Sequence, residues 1–323
     1  MSKATRLILG SSGLKVSRIV LGLMSYGSPQ WQPWILGEEE GIKHIKAAYD
    51  AGINAFDTAN VYSNGLSEVI LGKAIKQHQF PREEIVVMTK LYGAVGKTPG
   101  TLTMGTKQDL DKMGYVNQRG LSRKHIFDSV KHSLERLQLE YVDLLQCHRF
   151  DNETPIEETM EALHDVVKAG YVRYIGMSSC WAYHMLAYAI QNKLTPFISM
   201  QNHYSLVYRE EEREMFPTLK QFGVGSIPWS PLARGLLSRP LDQQTKRGEV
   251  DSVEEIAKKK NVKMAQIAIA WIMARDGVTA PIIGTTSLEN LSELIAAVDI
   301  KLSEEEMKYL EEPYQPRAIM GHM

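Results

Sequence analysis

Cysteine is scarce in this chain. Two residues of 323, Cys147 and Cys180, cannot build a disulfide framework and agree with a reducing compartment. Net charge is nearly absent, −1 at pH 7, which argues against nucleic acid or an anionic membrane as the main partner. No apolar run reaches the ~18 residues of a membrane span; the most apolar segment, 265–274, is too short. The opening MSKATRLILG holds no apolar stretch of signal-peptide length, so a cytoplasmic enzyme is expected. The nine histidines include no H-E-x-x-H or comparable spacing, so no metal is expected. No G-x-G-x-x-G follows the first apolar run, since Gly22 and Gly27 are wrongly spaced, which disfavours a Rossmann dinucleotide site.

Two further signals weigh little. GAVGKT at 93–98 looks like the end of a phosphate-binding loop, but position 91 is leucine where the motif requires glycine; a mobile polar loop is the better expectation. The sequon Asn152–Thr154 is a chance match in a reducing compartment and is followed by Pro155.

What is present is ordinary in amount and regular in order. Hydrophobic content of 44% and charge of 23% are those of a globular protein. One unit recurs: an amphipathic helix, a glycine, then a short apolar strand ending in polar residues. Gly52, Gly170, Gly223 and Gly277 supply the left-handed stop favoured at helix ends. Thr154–Glu157, Ser252–Glu255 and Ser303–Glu306 read as capping boxes, the first with Pro155 at the first helical position. Strands are expected near 18–24, 53–57, 84–90, 141–147, 172–178, 197–201, 224–229 and 279–284. Helices are expected near 38–51, 66–78, 122–138, 156–169, 181–193, 210–222, 252–275 and 287–297. Strict alternation means parallel strands joined by right-handed crossovers, and eight such units predict a closed (β/α)8 TIM barrel. Residues 6–17 read as an N-terminal β-hairpin, and 91–121 and 233–250 as long βα loops on the side where barrels build their sites. No linker divides the chain, so 1–323 is expected to be a single domain.

Four chemistry-bearing residues stand where apolar runs stop. Asp57 closes the second strand with Tyr62 just beyond, Lys90 closes the third, and His148 follows the fourth. Each alone has a plain explanation: a turn aspartate, a packed tyrosine, a solvated lysine, a core histidine. Cys147 beside His148 points to the opposite face of its strand and is expected to pack. Around one barrel mouth the four residues have a common purpose. A phenol of pKa about 10 is a weak acid; an adjacent ammonium stabilises its phenolate, and a carboxylate holds the ammonium. An imidazole beside them can polarise a carbonyl oxygen. Such a site protonates a C=O but lacks a hydride, which implies a nicotinamide cofactor.

With these residues in place, the chain resembles the aldo-keto reductases over nearly its whole length. It is most similar to fungal aryl-alcohol dehydrogenase and versiconal-hemiacetal-acetate-reductase-like members, and more distantly to potassium channel β subunits. The matching segments are GINAFDTANVYSNGLSEVILGKAI, VVMTKL, YVDLLQCHRFD, RYIGMSSC, MQNHYSLVYR, PWSPLARGLLS and PIIGTTSLENL. The resemblance implies Tyr62 as general acid, tuned by Lys90 and Asp57, with His148 orienting the carbonyl. It places Ser178, Ser179 and Gln201 at the cofactor carboxamide, Trp229 on the nicotinamide ring, and Met24 and Asp57 close by. Ser230, Pro231, Leu232 and Arg234 would follow the pyrophosphate. Gly284, Thr285, Thr286 and Ser287, with Asn290 and Glu293, would surround the adenosine 2′-phosphate and adenine. Many members place Lys and Arg around that phosphate, where this chain has Gly284, Thr285 and Asn290. NADPH is still what the resemblance implies, because related sequences with this pattern use it, but with weaker discrimination against NADH where the charge-assisted contact is missing.

The expected reaction is NADPH-dependent reduction of aldehydes, aromatic or otherwise apolar, to primary alcohols. Tyr26, Trp31, Trp34 and Tyr92 are candidates for an aromatic substrate wall. The expected partner is a small carbonyl compound, with the protein a monomer or small homo-oligomer. Two alternatives differ in kind. One is a regulatory subunit like the potassium channel β subunits, disfavoured by the short stretch before residue 6. The other is a reductase of sugars or phosphorylated aldehydes, for which Arg149 or Arg119 could supply a basic mouth.

Overall fold

Short apolar strands that follow left-handed glycines, with helices between, leave few ways to bury both faces of a sheet other than closing it. A computed structural model describes residues 6–180, 183–238 and 251–322. The latter part of the expected 233–250 loop and the first two positions of the 181–193 helix lie outside the described residues.

The hairpin comes first, β1 (Arg6–Ile8) pairing antiparallel with β2 (Lys15–Ser17). Eight parallel strands follow: β3 (Val20–Gly22), β4 (Ala55–Asp57), β5 (Val86–Leu91), β6 (Val142–Cys147), β7 (Val172–Ser178), β8 (Phe197–Gln201), β9 (Gly225–Ser226) and β10 (Ile282–Ile283). Their order in the sheet is β10-β3-β4-β5-β6-β7-β8-β9. The two ends meet through a parallel bridge between Ser226 and Val278 and a bond from Ile282 N–H to the Pro228 carbonyl at 2.8 Å. The fold is thus the (β/α)8 barrel that alternation predicts. Helices α1 (Glu38–Asp50), α2 (Leu66–Gln77), α3 (Arg123–Leu137), α4 (Ile156–Lys168), α5 (Tyr183–Gln191) and α6 (Met215–Phe222) alternate with the strands. After them come α7 (Asp251–Lys260), α8 (Met264–Ala274), α9 (Leu288–Ala296) and α10 (Glu304–Glu311).

Barrel strands are two-faced, and the apolar residues divide accordingly. Val20, Ala55, Val86, Met88, Leu144, Ile198, Ile227, Ala280 and Ile282 fill the inside, joined by Leu9 and Val16 of the hairpin. The hairpin therefore plugs the N-terminal end. Gly10, at φ +58, lies so close to the backbone of Ile198, Gly223 and Gly225 that a Cβ there would collide with it. Outward residues such as Phe56, Val87, Leu145 and Ile175 pack beneath the helices.

Three local expectations are corrected. The 252–275 helix is two, α7 and α8, because Asn261 turns left-handed at φ +54. Ser252 is not a cap: it lies inside α7, buried, its hydroxyl without a protein partner among the described residues. Thr154 is not one either, since its hydroxyl donates to Asp151 Oδ2 at 2.7 Å and the helix starts after Pro155 with no side-chain cap. The box at Ser303 and Glu306 does form. Residues 93–101 are tied down: Asn64 donates to the carbonyls of Thr98 and Thr101 at 2.8 Å and accepts from Gly96 N–H at 2.8 Å.

Candidate active site

Alternation decides which side chains reach the barrel axis. On β5 the inward series runs Val86, Met88, Lys90; on β4, Ala55, Asp57; on β6, Leu144, Gln146, with His148 one step past the strand. The apolar members form the floor, and the polar ones gather at the C-terminal mouth. Tyr62 reaches the same place from a short 3-10 turn, Tyr62–Gly65, in which Ser63 and Asn64 are left-handed.

Lys90 Nζ lies 2.5 Å from Asp57 Oδ2, 2.8 Å from the Thr58 carbonyl and 3.2 Å from the Tyr62 hydroxyl. Three partners match the three hydrogens of an ammonium, and the side chain is fully buried. Asp57 Oδ1 is held in turn by Gln146 Nε2 at 3.0 Å and Gln201 Nε2 at 2.9 Å. Burial works against the charge on Lys90, but Asp57 and Tyr62 outweigh it, and its pKa lies above the ordinary lysine value. Burial raises the Tyr62 phenol above its usual value, with Lys90 pulling it back only in part. The ammonium offsets the cost of burying the phenol without making it a stronger acid than free tyrosine, contrary to what proximity alone suggests.

The His148 ring stands edge-on to Tyr62, centroids 5.8 Å apart at 82°. Its backbone N–H is fixed to the Leu91 carbonyl at 2.8 Å, and its Nδ1 has no hydrogen-bond partner among the described residues. Burial, then Lys90 and Arg149, holds its pKa well below the usual histidine value, so the imidazole is neutral. Cys147 faces away and is fully buried; burial pushes its thiol up to about 12, which leaves it a packing residue.

The residues expected to form a cofactor trough run from Ser178 to Arg234. Ser178 Oγ donates to the Gln201 carbonyl at 2.9 Å, and Trp229 Nε1 donates to Ser179 Oγ at 3.1 Å. One face of Trp229 is taken by His203, stacked at 4.4 Å and 13°. Ser179, Ser230, Ala233 and Arg234 are all left-handed, so the backbone here folds back on itself. Pro231 is buried, Leu232 half-buried and Arg234 exposed. Met24, 43% exposed, follows β3. At the far end Gly284 and Thr286 are exposed, Thr285 Oγ1 accepts from Ser287 N–H at 3.1 Å, and Ser287 caps α9 by accepting from Asn290 N–H at 3.3 Å. Glu293 Oε1 lies 3.6 Å from Lys263 Nζ.

The proposed aromatic wall is only partly assembled. The Trp31 ring is 6.3 Å from that of Tyr62. Tyr26 is a correction: it is fully buried against His44 and its hydroxyl donates to the Thr285 carbonyl at 3.3 Å, so it packs under the mouth instead of lining it. Trp34 is 46% exposed, and Tyr92 is half-buried with its carbonyl accepting from Gly120 N–H at 2.8 Å. Arg149 is half-buried beside the site, donating to the His148 carbonyl at 2.6 Å. Arg119 pairs with Glu153 at 3.6 Å.

Sequence reasoning missed several neighbours. Gln146 shares a face with His148 by strand alternation, a signal that was available. Lys263 is distant in sequence from the residues expected at the adenine, and only folding brings it to Glu293. Gly321 lies so near the trough that a Cβ on it would sit 3.5 Å from Ser179 and 3.7 Å from Trp229. Among the described residues no group of three or more His, Cys, Asp or Glu could hold a metal ion, and no helix is long and apolar enough to cross a membrane.

Comparison with known proteins agrees with this geometry. The aldo/keto reductase family profile matches residues 18–315. An aldo-keto reductase of Fusarium vanettenii is 47% identical over 97% of this chain and 92% of its own. The versiconal hemiacetal acetate reductase of Aspergillus parasiticus is 46% identical over 96% of this chain and 97% of its own. A Schizosaccharomyces pombe protein provisionally named an aryl-alcohol dehydrogenase is 47% identical over 98% of this chain and 97% of its own.

Proposed function

Because the chain belongs to the aldo/keto reductase family, we propose that it is an NADPH-dependent reductase of aromatic and other apolar aldehydes, with Tyr62 as proton donor. Membership makes it an oxidoreductase acting on carbonyl and alcohol groups, in a family that generally uses NAD(P)H. The observation that carries the finer reading is the Lys90 ammonium held between Asp57 and the Tyr62 hydroxyl.

The trough residues fit a dinucleotide. Left-handed residues at 230, 233 and 234 curl the backbone into tight turns, Trp229 offers a flat ring, and the capped start of α9 favours an anion. Lys263 beside Glu293 supplies a cation near the expected 2′-phosphate, which supports NADPH over NADH. When bound, the cofactor supplies the hydride that side chains cannot. The chain's own residues then handle the oxygen. A carbonyl oxygen meeting the Tyr62 hydroxyl and His148 is polarised by a neutral imidazole N–H and takes the phenol proton as negative charge develops on it. A nascent alkoxide is a far stronger base than phenolate, so transfer runs downhill even from a phenol whose pKa burial has raised. The phenolate left behind is stabilised by Lys90, whose charge Asp57 secures.

The same reading takes residues 1–323 as one catalytic domain, acting in the cytoplasm as a monomer or small homo-oligomer. The aryl preference rests on Trp31 beside Tyr62 and on the kinds of relatives matched. Loss of NADPH absorbance with benzaldehydes, exceeding that with short aliphatic aldehydes, is the expected result; turnover on neither class defeats the claim. Arg149, close enough to feel the Tyr62 charge, favours one second reading, a substrate with an anionic or polar arm. A phosphorylated aldehyde in the same assay separates the two.

A further inference from the structure

We infer that Gln146 is a positioning residue that sets both the Asp57 carboxylate and the Gln201 amide, and so links cofactor binding to the proton donor. This rests on the proposed roles of Tyr62, Lys90 and Asp57. Gln146 is fully buried on β6. Its Nε2 donates to Asp57 Oδ1 at 3.0 Å; Gln201 Nε2 donates to the same oxygen at 2.9 Å and to Gln146 Oε1 at 3.1 Å.

The directions of these bonds follow from chemistry. A carboxylate bound to an ammonium can only accept, so both amides must turn their NH2 groups toward Asp57. That leaves the Gln146 oxygen facing Gln201, where it takes the second of the two amide hydrogens. Flipping Gln201 would set its own oxygen against two other oxygens in a buried site, an arrangement with no hydrogen between them. Gln201 is therefore locked, with only its carbonyl oxygen left to offer. A carboxamide N–H, such as that of nicotinamide, is the donor it can receive. At Asp57 the labour divides: Oδ2 serves Lys90 and Oδ1 serves the two amides. The next strand makes room for this. A Cβ on Gly176 would lie 3.3 Å from Gln146 Cγ and collide with Ser199.

Two variants of the full chain test the inference, Gln146→Leu and Gln146→Glu. Each is titrated with NADPH by quenching of tryptophan fluorescence, and kcat is measured from about pH 5.5 to about pH 8.5. Gln146→Leu should weaken NADPH binding about tenfold, the size of one net hydrogen bond. Gln146→Glu carries the sharper signature. Its protonated acid can donate to Asp57 as the amide does, whereas its ionised form sets two carboxylates face to face. Relative to the parent, its NADPH affinity and kcat should be near normal at the acid end and fall about tenfold or more at the alkaline end. Should Gln146→Leu fail to fold, the near-isosteric glutamate still decides. Parent-like affinity in both variants at every pH, or a loss in Gln146→Glu that does not change with pH, would overturn the inference. Tyr62→Phe measured alongside reads the underlying proposal separately: its retained turnover removes Tyr62 from its role, while the affinity-against-pH ratios still judge Gln146.

Discussion

The proposed acid–base cluster and the proposed cofactor trough share one barrel mouth but are built on different plans. Asp57, Lys90 and Gln146 sit on regular strands, and no residue of β4, β5 or β6 is left-handed. In the trough, Ser179, Ser230, Ala233 and Arg234 are all left-handed without being glycine, each a local cost of order 1–3 kcal/mol. Asp57, Lys90 and Gln146, which must keep fixed distances to one another, are carried by ladder-bonded backbone, and only Tyr62 reaches them from a turn. The groups proposed to wrap a long anionic ligand are carried by tight turns, in which Ala233 N–H donates to the Ser230 carbonyl and Gly235 N–H to the Leu232 carbonyl. The first plan stores its specificity in buried hydrogen bonds, the second in backbone shape.

The largest effects should separate the two regions by which kinetic constant moves. Tyr62→Phe is expected to lower kcat by about 10²–10⁴-fold while leaving NADPH affinity unchanged. Lys90→Met should lower kcat comparably and also destabilise the fold by about 3–5 kcal/mol, because Asp57 is left buried without its cation. Steady-state kinetics and denaturant melts read both. A Tyr62→Phe variant that lost affinity with kcat intact would merge the two regions into one.

Acid should weaken the protein through histidines on both sides of the mouth. Burial, then Arg234, holds His203 at about 4, burial foremost among several influences holds His125 at about 4, and His148 lies well below its usual value. In the unfolded chain these groups protonate near ~6.5, so below that pH the unfolded state binds more protons and stability falls as pH falls. Their contribution is fully present above ~6.5, and each can remove up to ~1.4 kcal/mol per pH unit below it. Denaturation midpoints at about pH 7.5 and about pH 5 should differ accordingly, and His148→Asn should shrink the difference. Equal midpoints would mean these rings are hydrated.

A smaller effect belongs to the trough alone. Lys263→Ala should weaken NADPH several-fold, leave NADH nearly untouched and leave kcat unchanged, since an exposed charge-assisted contact is worth about 1 kcal/mol. Equal losses for both cofactors would place Lys263 away from the 2′-phosphate.

The barrel was legible because its signals are local and repeated. Gly52, Gly170 and Gly223 are left-handed helix stops, whereas α8 already ends at an extended Arg275 and Gly277 turns left-handed in the loop beyond it; a strand follows each of the four. Local signals failed where a tertiary partner competed. Thr154 gives its hydroxyl to Asp151, whose carboxylate also binds the N–H groups of Leu121 and Glu153. Asn261 ends α7 inside an unbroken helical pattern. At the site, types and positions were readable for the four residues at strand ends, but the direction of the Tyr62 shift was not. Proximity to Lys90 can be read from sequence, whereas the burial that outweighs it is a property of the closed mouth. Tyr26 failed for the same reason, as aromatic type does not say which side of a loop faces inward.

The finest test of the contrast uses one substitution in two places. Ala55→Gly on β4 removes a methyl from the filled barrel interior and frees an unfolded chain that then has more to lose. Both act in one direction, and a loss of about 1–2 kcal/mol is expected. Ala233→Gly in the trough frees the unfolded chain equally, but in the folded state it relieves a Cβ held at φ +49, a strain of about 1–2 kcal/mol. The two terms oppose, so stability should move by less than ~1 kcal/mol, upward if at all. Thermal melts of the pair resolve the difference. Equal losses at both positions would mean that the left-handed turn carries no strain and that the trough is held by contacts like those of the strands.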